Sequence, residues 1–138
     1  MQPSLETETL AREILTALDT VRQIPRPSAR DPGFNLDDGY AVAARVVDLR
    51  VARGERPVGW KVGFTNRMIW DEYGVHAPIW GPIYESGLVA AIDGVAECEA
   101  AHFCEPRIEP EIALRLAQVP DPDMDDLALL GCVDGIAH

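Results

Sequence analysis

The spacing of apolar residues changes from a helical to a strand period near residue 58. Before that point apolar residues recur every three or four positions, which predicts a helix over 5–23 and a second helix over 37–53. From there the alternation in "VGWKVGFT" predicts a strand over 58–65. Helices followed by strands indicate an α+β fold.

The two predicted helices have recognisable ends and apolar faces. Pro25 and Pro27 end the first helix, Asn35 or Asp37 caps the second, and Gly54 lies just past its end. The predicted stripes are Leu10, Ile14, Leu18 and Val21 in the first helix, and Tyr40, Ala44, Val47 and Val51 in the second. Both stripes need a partner surface.

The rest of the chain is predicted to be mostly β. We expect a helical part over 1–57 and a β-rich part over 58–138, joined in one structural unit. The later elements are, in order, a short helix over 66–73 ending at Gly74, a turning loop "HAPIWGPIY", a hairpin at Asp93-Gly94, a strand "RIEPEIALRL", a loop "VPDPDMDD", and a last helix with Leu127, Leu130 and Val133 on one face.

Composition narrows the classes of partner. The 138 residues, 47% of them hydrophobic, suffice for about one globular domain with a core. A net charge of −11 disfavours binding to nucleic-acid phosphates. No apolar run approaches the length of a membrane span, the N-terminus has no signal-peptide pattern, and the three cysteines are scattered. We therefore expect a cytoplasmic protein that binds neither nucleic acid nor membrane.

Lys61 is the only lysine, and the other eleven basic residues are arginines, which we expect to serve surface solubility. In the predicted strand Lys61 shares a face with Gly59, Gly63 and Thr65, so its nearest neighbours carry no side chain. Glycine in a strand often marks close approach of a ligand or another backbone, and a partly desolvated lysine can exchange protons. The alternative is a lysine that extends from a sheet edge into water.

A pair of glutamates lies in the more acidic part of the chain. Residues 59–138 hold fourteen acids and four bases, against nine and eight in residues 1–58. In the strand predicted for "EPRIEPEIALRL", Glu109 and Glu111 share a face, with Cα atoms about 6.5–7 Å apart. Carboxylates this close need a shared proton or a cation, and Mg²⁺ prefers oxygen ligands. The alternative is a solvated edge strand, which Pro110 favours.

Three other groups of polar residues are weaker candidates. They are an acidic loop, two cysteines with a histidine, and a loop histidine: Asp121, Asp123, Asp125, Cys98, His102, Cys104 and His76. The acidic loop has calcium-loop spacing without the required glycine and final glutamate, so we interpret it as a turn and helix cap. The cysteines match no common zinc spacing. The loop histidine is expected at the surface, although its loop could reach the Lys61 pocket.

Three segments together resemble a known family. They are "ARGERPVGWKVGFTN", "YGVHAPIWGPIYES" and "EPRIEPEIALRL", in the family's order and spacing. From the second helix, including Tyr40, to its C-terminus the chain is similar to the 2-keto-4-pentenoate hydratase and 4-oxalocrotonate decarboxylase branch of the fumarylacetoacetate hydrolase superfamily. The resemblance implies a mixed β-roll preceded by helices, of which this chain would hold the first part.

The resemblance also implies a chemistry. The family acts on 2-oxo or 2-hydroxydienoate acids in the breakdown of aromatic compounds and uses Mg²⁺ or Mn²⁺. Glu109 and Glu111 match its first two metal-ligand glutamates, and Lys61 matches its substrate-facing lysine. The metal would bind the substrate's carboxylate and 2-oxo oxygen as a Lewis acid, while Lys61 would position the carboxylate or move a proton. Thr65 and Ile79 are the candidate substrate-binding residues.

The chain departs from the family's pattern in two places. Hydratases of the family usually carry an aspartate after the loop proline, in a pattern like P-D-x-G, where this chain has Ile79. The acid–base partner of Lys61 is then absent or supplied elsewhere, with His76 as a candidate. The family's third carboxylate ligand follows the helix that begins near Asp126, beyond His138. We therefore expect the N-terminal part of such an enzyme, as a truncated product or one member of a split pair.

Three functions follow as expectations. The first is a metal-dependent, hydratase-like lyase or decarboxylase of 2-oxo acids. The second is a catalytically incomplete fragment or subunit that binds a partner chain. The third is an acylpyruvate-type hydrolase that cleaves a C–C bond, although the His–Glu pair expected there is not evident. Because a partial roll leaves unpaired strand edges, we expect a homo-oligomer or a complementing C-terminal chain.

Overall fold

Residues 5–137 are described by a computed structural model, and within this range the chain forms two compact units. One unit ends at Cys104 and the other begins at Glu105, so the expected change at 57–58 falls inside the first unit. The helices are α1 Leu5–Asp19, α2 Pro27–Arg30, α3 Leu36–Ala52, α4 Trp70–Tyr73 and α5 Asp126–Leu130; the strands are β1 Pro57–Gly63, β2 Ile79–Tyr84, β3 Ala113–Leu116 and β4 Val133–Ala137. Helices and strands are both present, as expected for an α+β fold.

The first unit is built on α1 packed against α3. The Asn35 side chain accepts hydrogen bonds from the Asp37 and Asp38 N–H groups, while the Asp38 side chain accepts one from the Asn35 N–H. This reciprocal cap explains why α3 begins where the sequence indicates. Gly54, with φ +97°, follows its end in the left-handed region that glycine favours.

The helix faces differ from the predicted stripes. The buried positions are Ala11 and Ala17 in α1 and Val42 in α3, whereas Leu18 and Ala44 are exposed. The most buried side chains of α1 are thus the small alanines, while Leu10 and Ile14 of the predicted stripe are half-buried. Helix α1 also ends at Asp19, before the predicted limit, and Val21 follows with φ +50°.

Arginines join the elements of the first unit, which corrects the expectation that they serve solubility alone. Arg45 of α3 and Arg53, which directly follows that helix, pair with Glu8 and Asp19 of α1, the second pair at 2.8 Å. Arg30 of α2 makes two hydrogen bonds, of 2.6 and 2.7 Å, to the Glu13 carboxylate. A guanidinium forms two parallel bonds to one carboxylate, which a lysine ammonium does not, and the chain uses arginine at these contacts.

Strand β2 overturns the prediction of a turning loop over "HAPIWGPIY". Residues Ile79–Tyr84 pair antiparallel with β1. In such a ladder every second residue turns its N–H away from the partner strand. The Trp80 N–H donates to the Tyr40 hydroxyl at 3.4 Å, so it points away from β1. Pro82, two residues on, has the same orientation, and its missing N–H costs no hydrogen bond between the strands.

The second unit pairs β3 antiparallel with β4, with Leu114 opposite Ile136. The prediction of a C-terminal helix through Val133 is therefore wrong beyond Leu130. Helix α5 is capped by Asp125, whose side chain accepts from the Ala128 N–H at 2.8 Å, and it ends before Gly131. A Cβ at Gly131 would lie 3.2 Å from the Ala128 carbonyl oxygen, so glycine suits this tight change from helix to strand.

The remaining local predictions have mixed outcomes. The turn at Asp93-Gly94 is confirmed, with φ values of +53° and +79°, but only Ile92 and Val95 pair across it and no longer hairpin forms. Gly74, with φ +63°, ends α4 as predicted. No helix within residues 5–137 has the length and apolar character needed to cross a bilayer.

The packing of α1 on α3 predicts a contrast between two valines of the same helix. Val42 is 4% exposed and Val51 is 48% exposed. We expect Val42→Ala to lower the free energy of unfolding by about 2 kcal/mol, because it removes two buried methyl-sized groups and leaves a cavity. Val51→Ala should change it by less than about 0.5 kcal/mol. Urea denaturation followed by circular dichroism measures both, and equal effects would contradict the described α3 face.

The ion pairs predict how the first unit responds to acid. Hydrogen bonding from Arg45, together with Arg12, lowers the pKa of Glu8, although partial burial opposes it. A lowered pKa in the folded state gives stability that is present above the unfolded value and is lost as the pH falls through the folded value. Glu8→Gln should therefore lower the free energy of unfolding at neutral pH. It should also reduce the further loss of that free energy as the pH falls. Glu72→Gln, at an exposed position in α4, is the matched control and should do neither.

Candidate functional site

The β1–β2 pair places Lys61 in the middle of a largely side-chain-free face. Lys61 lies opposite Gly81, Gly59 opposite Ile83, and Gly63 opposite Ile79. Residues directly opposite each other in an antiparallel pair project to the same side. The face of Lys61 therefore consists of one ammonium side chain, two isoleucines and three glycines, which we call the Lys61 face: Gly59, Lys61, Gly63, Ile79, Gly81 and Ile83.

The glycines of the Lys61 face border open space. A Cβ built on Gly59 or on Gly81 meets no heavy atom within 4 Å. A Cβ on Gly63 would meet only the Ile79 Cγ1 atom, at 3.6 Å, which is an ordinary contact. Neither packing nor a positive φ requires glycine at these positions. A flat ligand could approach the backbone on both sides of Lys61, as the sequence pattern predicts.

The opposite face of the same two strands is aromatic and lies on α3. The Trp80 ring stacks on Tyr40 of α3 at 5.0 Å between centroids, and the Trp60 ring meets Trp80 edge-on at 5.2 Å. Tyr84, 7% exposed, carries the Arg50 guanidinium 3.6 Å above its ring, and burial raises the pKa of its hydroxyl. These contacts hold the sheet on α3 and leave Lys61 on the far side.

Of the other residues predicted near the substrate, Ile79 lies on the Lys61 face, whereas Thr65 does not. Ile79 lies on the Lys61 face, next to Gly63. Thr65 does not continue that face, because β1 ends at Gly63 and Phe64 has φ +60°. The Phe64 carbonyl instead accepts a 2.8 Å hydrogen bond from the Trp70 indole N–H. His76 is exposed, and its Nδ1 atom lies 3.8 Å from the Asp71 carboxylate.

Glu109 and Glu111 belong to the second unit and precede its first strand. Strand β3 begins only at Ala113, so the prediction that both glutamates lie within a strand is wrong. Pro106 and Pro110 lack the N–H groups that a strand ladder uses, which shortens the strand from its N-terminal side. Both glutamates are exposed, and their carboxylates are oxygen donors of the kind that Mg²⁺ prefers.

The other polar groups remain outside any complete metal site. Among residues 5–137, no group of three or more histidine, cysteine, aspartate and glutamate side chains is arranged to hold a metal ion. Cys98 and Cys104 are exposed free thiols, and His102 lies 3.3 Å from Glu99. The Asp121 side chain accepts from the Asp123 N–H at 2.9 Å, as expected of a turn residue.

Comparison with known proteins gives consistent matches. The chain is 33% identical over 110 residues to 2-hydroxyhexa-2,4-dienoate hydratase of Comamonas testosteroni, and 35% identical over 107 residues to 4-oxalocrotonate decarboxylase of a Pseudomonas species. These alignments cover 79% and 78% of this chain and 41% of each relative. The chain resembles the hydratase and decarboxylase branch, as its three segments indicate. No family model matches it.

A solved structure supports the same resemblance at the level of the fold. The structure of 4-oxalocrotonate decarboxylase from Pseudomonas putida G7, complexed with magnesium and adipate, matches with a TM-score of 0.57 and 27% sequence identity. The match covers 62% of this chain and 34% of that one. A second structure of that enzyme, complexed with calcium and acetate, matches equally well. The chain thus spans less than half the length of the proteins it resembles.

Sequence reasoning missed the contribution of β2 to the Lys61 face. Gly81 and Ile83 lie in the predicted turning loop, because Pro78, Gly81 and Pro82 are turn residues. The apolar residues of "IWGPIY" fit a strand, and a proline is tolerated where its N–H would point outwards. That combination could have identified β2, although it could not have given the register that places Gly81 opposite Lys61.

The aromatic contact with α3 predicts how firmly the Lys61 face is held. We expect Tyr40→Leu, which removes the ring stacked on Trp80, to lower the free energy of unfolding by about 1 kcal/mol and to speed amide exchange in Ile79–Tyr84. Tyr40→Phe keeps the ring and loses only a long hydrogen bond to the Trp80 N–H, so exchange should change little. Hydrogen exchange by mass spectrometry compares them, and equal exchange in both variants would contradict the stacking.

Proposed function

We propose that this chain contributes to a metal-dependent, hydratase-like lyase or decarboxylase acting on 2-oxo or 2-hydroxydienoate acids in aromatic-compound breakdown. The assigned roles are catalytic for Lys61, metal-binding for Glu109 and Glu111, and substrate-binding for Thr65 and Ile79. The cytoplasm is the proposed location, in agreement with the free thiols of Cys98, Cys104 and Cys132. The chain spans 41% of the length of the two relatives named above. The proposed roles therefore concern only the corresponding part of such an enzyme.

The proposal is supported by the Lys61 face, together with the similarity of the sequence to hydratases and decarboxylases. Relatives at 33% and 35% identity are named as a dienoate hydratase and an oxalocrotonate decarboxylase. The motif lysine lies opposite Gly81 and between two further glycines, with room for a ligand beside it. A structural lysine on a packed surface would not need three neighbouring positions without side chains.

A divalent ion fits the donor chemistry of the second unit. Glu109 and Glu111 provide two carboxylates one residue apart, and magnesium and calcium are the ions named with the solved relative. A bound Mg²⁺ or Mn²⁺ would supply Lewis-acid stabilisation of negative charge on a 2-oxo substrate. Residues 5–137 hold no group of three such donors, so the two glutamates would form part of the ligand set.

Lys61 has two possible tasks beside such a substrate. Its ammonium group can bind the substrate carboxylate, which fixes the orientation of the carbon chain over the neighbouring glycines. It can also carry a proton to or from the reacting carbon, the usual role of a lysine in acid–base catalysis. Ile79 on the same face has no exchangeable proton, so any second proton-transfer group comes from elsewhere.

A subunit that completes its site with another chain is the second candidate function. It is favoured by the incomplete donor group among the described residues and by apolar side chains that β3 and β4 expose, such as Leu114 and Ile136. The proposed partner is a second copy of the chain or a complementing C-terminal chain. An acylpyruvate-type hydrolase has less support, because the His76 ring lies beside Asp71 and the exposed His102–Glu99 pair, at 3.3 Å, lies outside the six positions of the Lys61 face.

The metal assignment predicts a selective loss of ion binding. We expect the double variant Glu109→Gln, Glu111→Gln to weaken Mn²⁺ or Mg²⁺ binding by more than about tenfold, because amide oxygens carry no negative charge to compensate the ion. Isothermal titration calorimetry measures the affinity directly and needs no substrate.

The chain offers a matched control for this experiment. Glu97 and Glu99 form another Glu-x-Glu pair with the same spacing, in the first unit. The double variant Glu97→Gln, Glu99→Gln makes the same change in net charge and should retain the affinity. Equal losses of affinity in the two double variants would mean that the loss reflects net charge rather than ligation by Glu109 and Glu111. Unchanged binding in the first variant would show that these two glutamates are not metal ligands.

A further inference from the structure

The Lys61 face carries one charged group between two aliphatic ones. Its three cross-strand pairs are Gly59 with Ile83, Lys61 with Gly81, and Gly63 with Ile79, so each pair contributes a single side chain. Lys61 therefore has an isoleucine diagonally across the sheet on either side, at a Cα separation of about 7–8 Å. A ligand bound to the ammonium group and lying along the strands would therefore point toward Ile79 in one direction and toward Ile83 in the other.

The isoleucines are available to a ligand. Ile79 is 41% exposed and Ile83 is half-buried. The space above Gly59 and Gly81 is open, and on the Gly63 side the Ile79 side chain is the first group a ligand would meet. A carbon chain lying across the glycines would thus contact backbone along its length and an aliphatic side chain at its end.

Neighbouring arginines of the first unit are engaged in other contacts. Arg56, which precedes β1, pairs with Glu85, which follows β2. Arg67, in the turn after β1, has its guanidinium 5.6 Å from the centre of the Trp70 ring. Among the six positions of the Lys61 face, the lysine is the single cation. A second carboxylate on the ligand would lie beside an isoleucine without a compensating charge, and the water that it loses to that contact would be an unfavourable cost.

We propose that Ile79 and Ile83 make this site select 2-oxo acids with one carboxylate and an apolar far end over 2-oxo dicarboxylates of the same length. The inference rests on the proposed function, since it assumes that a 2-oxo acid binds at Lys61. It separates two chemistries found among the relatives, whose names include a monocarboxylic hexadienoate and a dicarboxylic oxalocrotonate. By this criterion we expect the chain to prefer a monocarboxylate such as the hexadienoate.

The experiment compares two acids of equal carbon number on the full chain. Binding of 2-oxopentanoate and of 2-oxopentanedioate is measured by calorimetry in the presence of Mg²⁺. The monocarboxylate should bind on the order of tenfold more tightly, because a hydrophobic surface rejects a group that it leaves unsolvated and unpaired. Ile79→Lys should reverse the preference by supplying the missing cation, and Ile79→Leu should preserve it.

Control variants separate the possible outcomes. Ile92→Lys places the same charge at an exposed isoleucine outside the Lys61 face and should leave the preference unchanged. If both acids bind equally well and both are lost in Lys61→Met, the selectivity is overturned while the proposed function stands. If neither acid binds the chain, or if Lys61→Met has no effect on binding, the site assignment and the selectivity are both overturned.

Discussion

The pairing of β1 with β2 gives the first unit two chemically different faces. The register puts Trp60 and Trp80 on the side of α3, where Trp80 stacks on Tyr40, and puts Lys61 and Gly81 on the other side. A shift of one residue would exchange the two sets, placing Lys61 on the side of α3 and separating Trp80 from Tyr40. The aromatic contact with α3 therefore defines the register on which the Lys61 face depends.

Arginine contacts support this arrangement from its edges. Arg56 and Glu85 join the entry of β1 to the exit of β2, and Arg53 joins the end of α3 to Asp19 of α1. Solvent-exposed ion pairs are individually weak, so no single one holds the unit together. They act where the hydrophobic contribution is small, because few side chains of this unit are fully buried. The planar guanidinium of arginine can make two bonds to one carboxylate, which suits these contacts. The single lysine lies instead on the open Lys61 face.

Local sequence determined the elements that depend on local contacts. The Asn35 cap, the positive φ at Gly54 and the Asp93-Gly94 turn follow from the chemistry of one or two residues, and all three could be predicted. The register of strand β2 could not be recognised from Gly81 and Pro82, because it depends on a partner strand about twenty residues earlier. The same reason explains β4, which local apolar spacing assigned to a helix. On the Lys61 face, Ile79 of β2 was a candidate from the sequence, whereas Gly81 and Ile83 were missed, because the register decides their position.

The exposure of Lys61 has a practical consequence for work with this protein. Apart from the chain's α-amino group, its Nζ atom is the sole primary amine in the sequence, and it lies on an exposed, glycine-lined strand. Reagents that acylate amines, used to attach dyes, cross-linkers or sensor surfaces, would therefore modify Lys61 or the α-amino group rather than a random surface position. Immobilisation through the exposed thiols of Cys98 or Cys104 would leave the Lys61 amine unmodified.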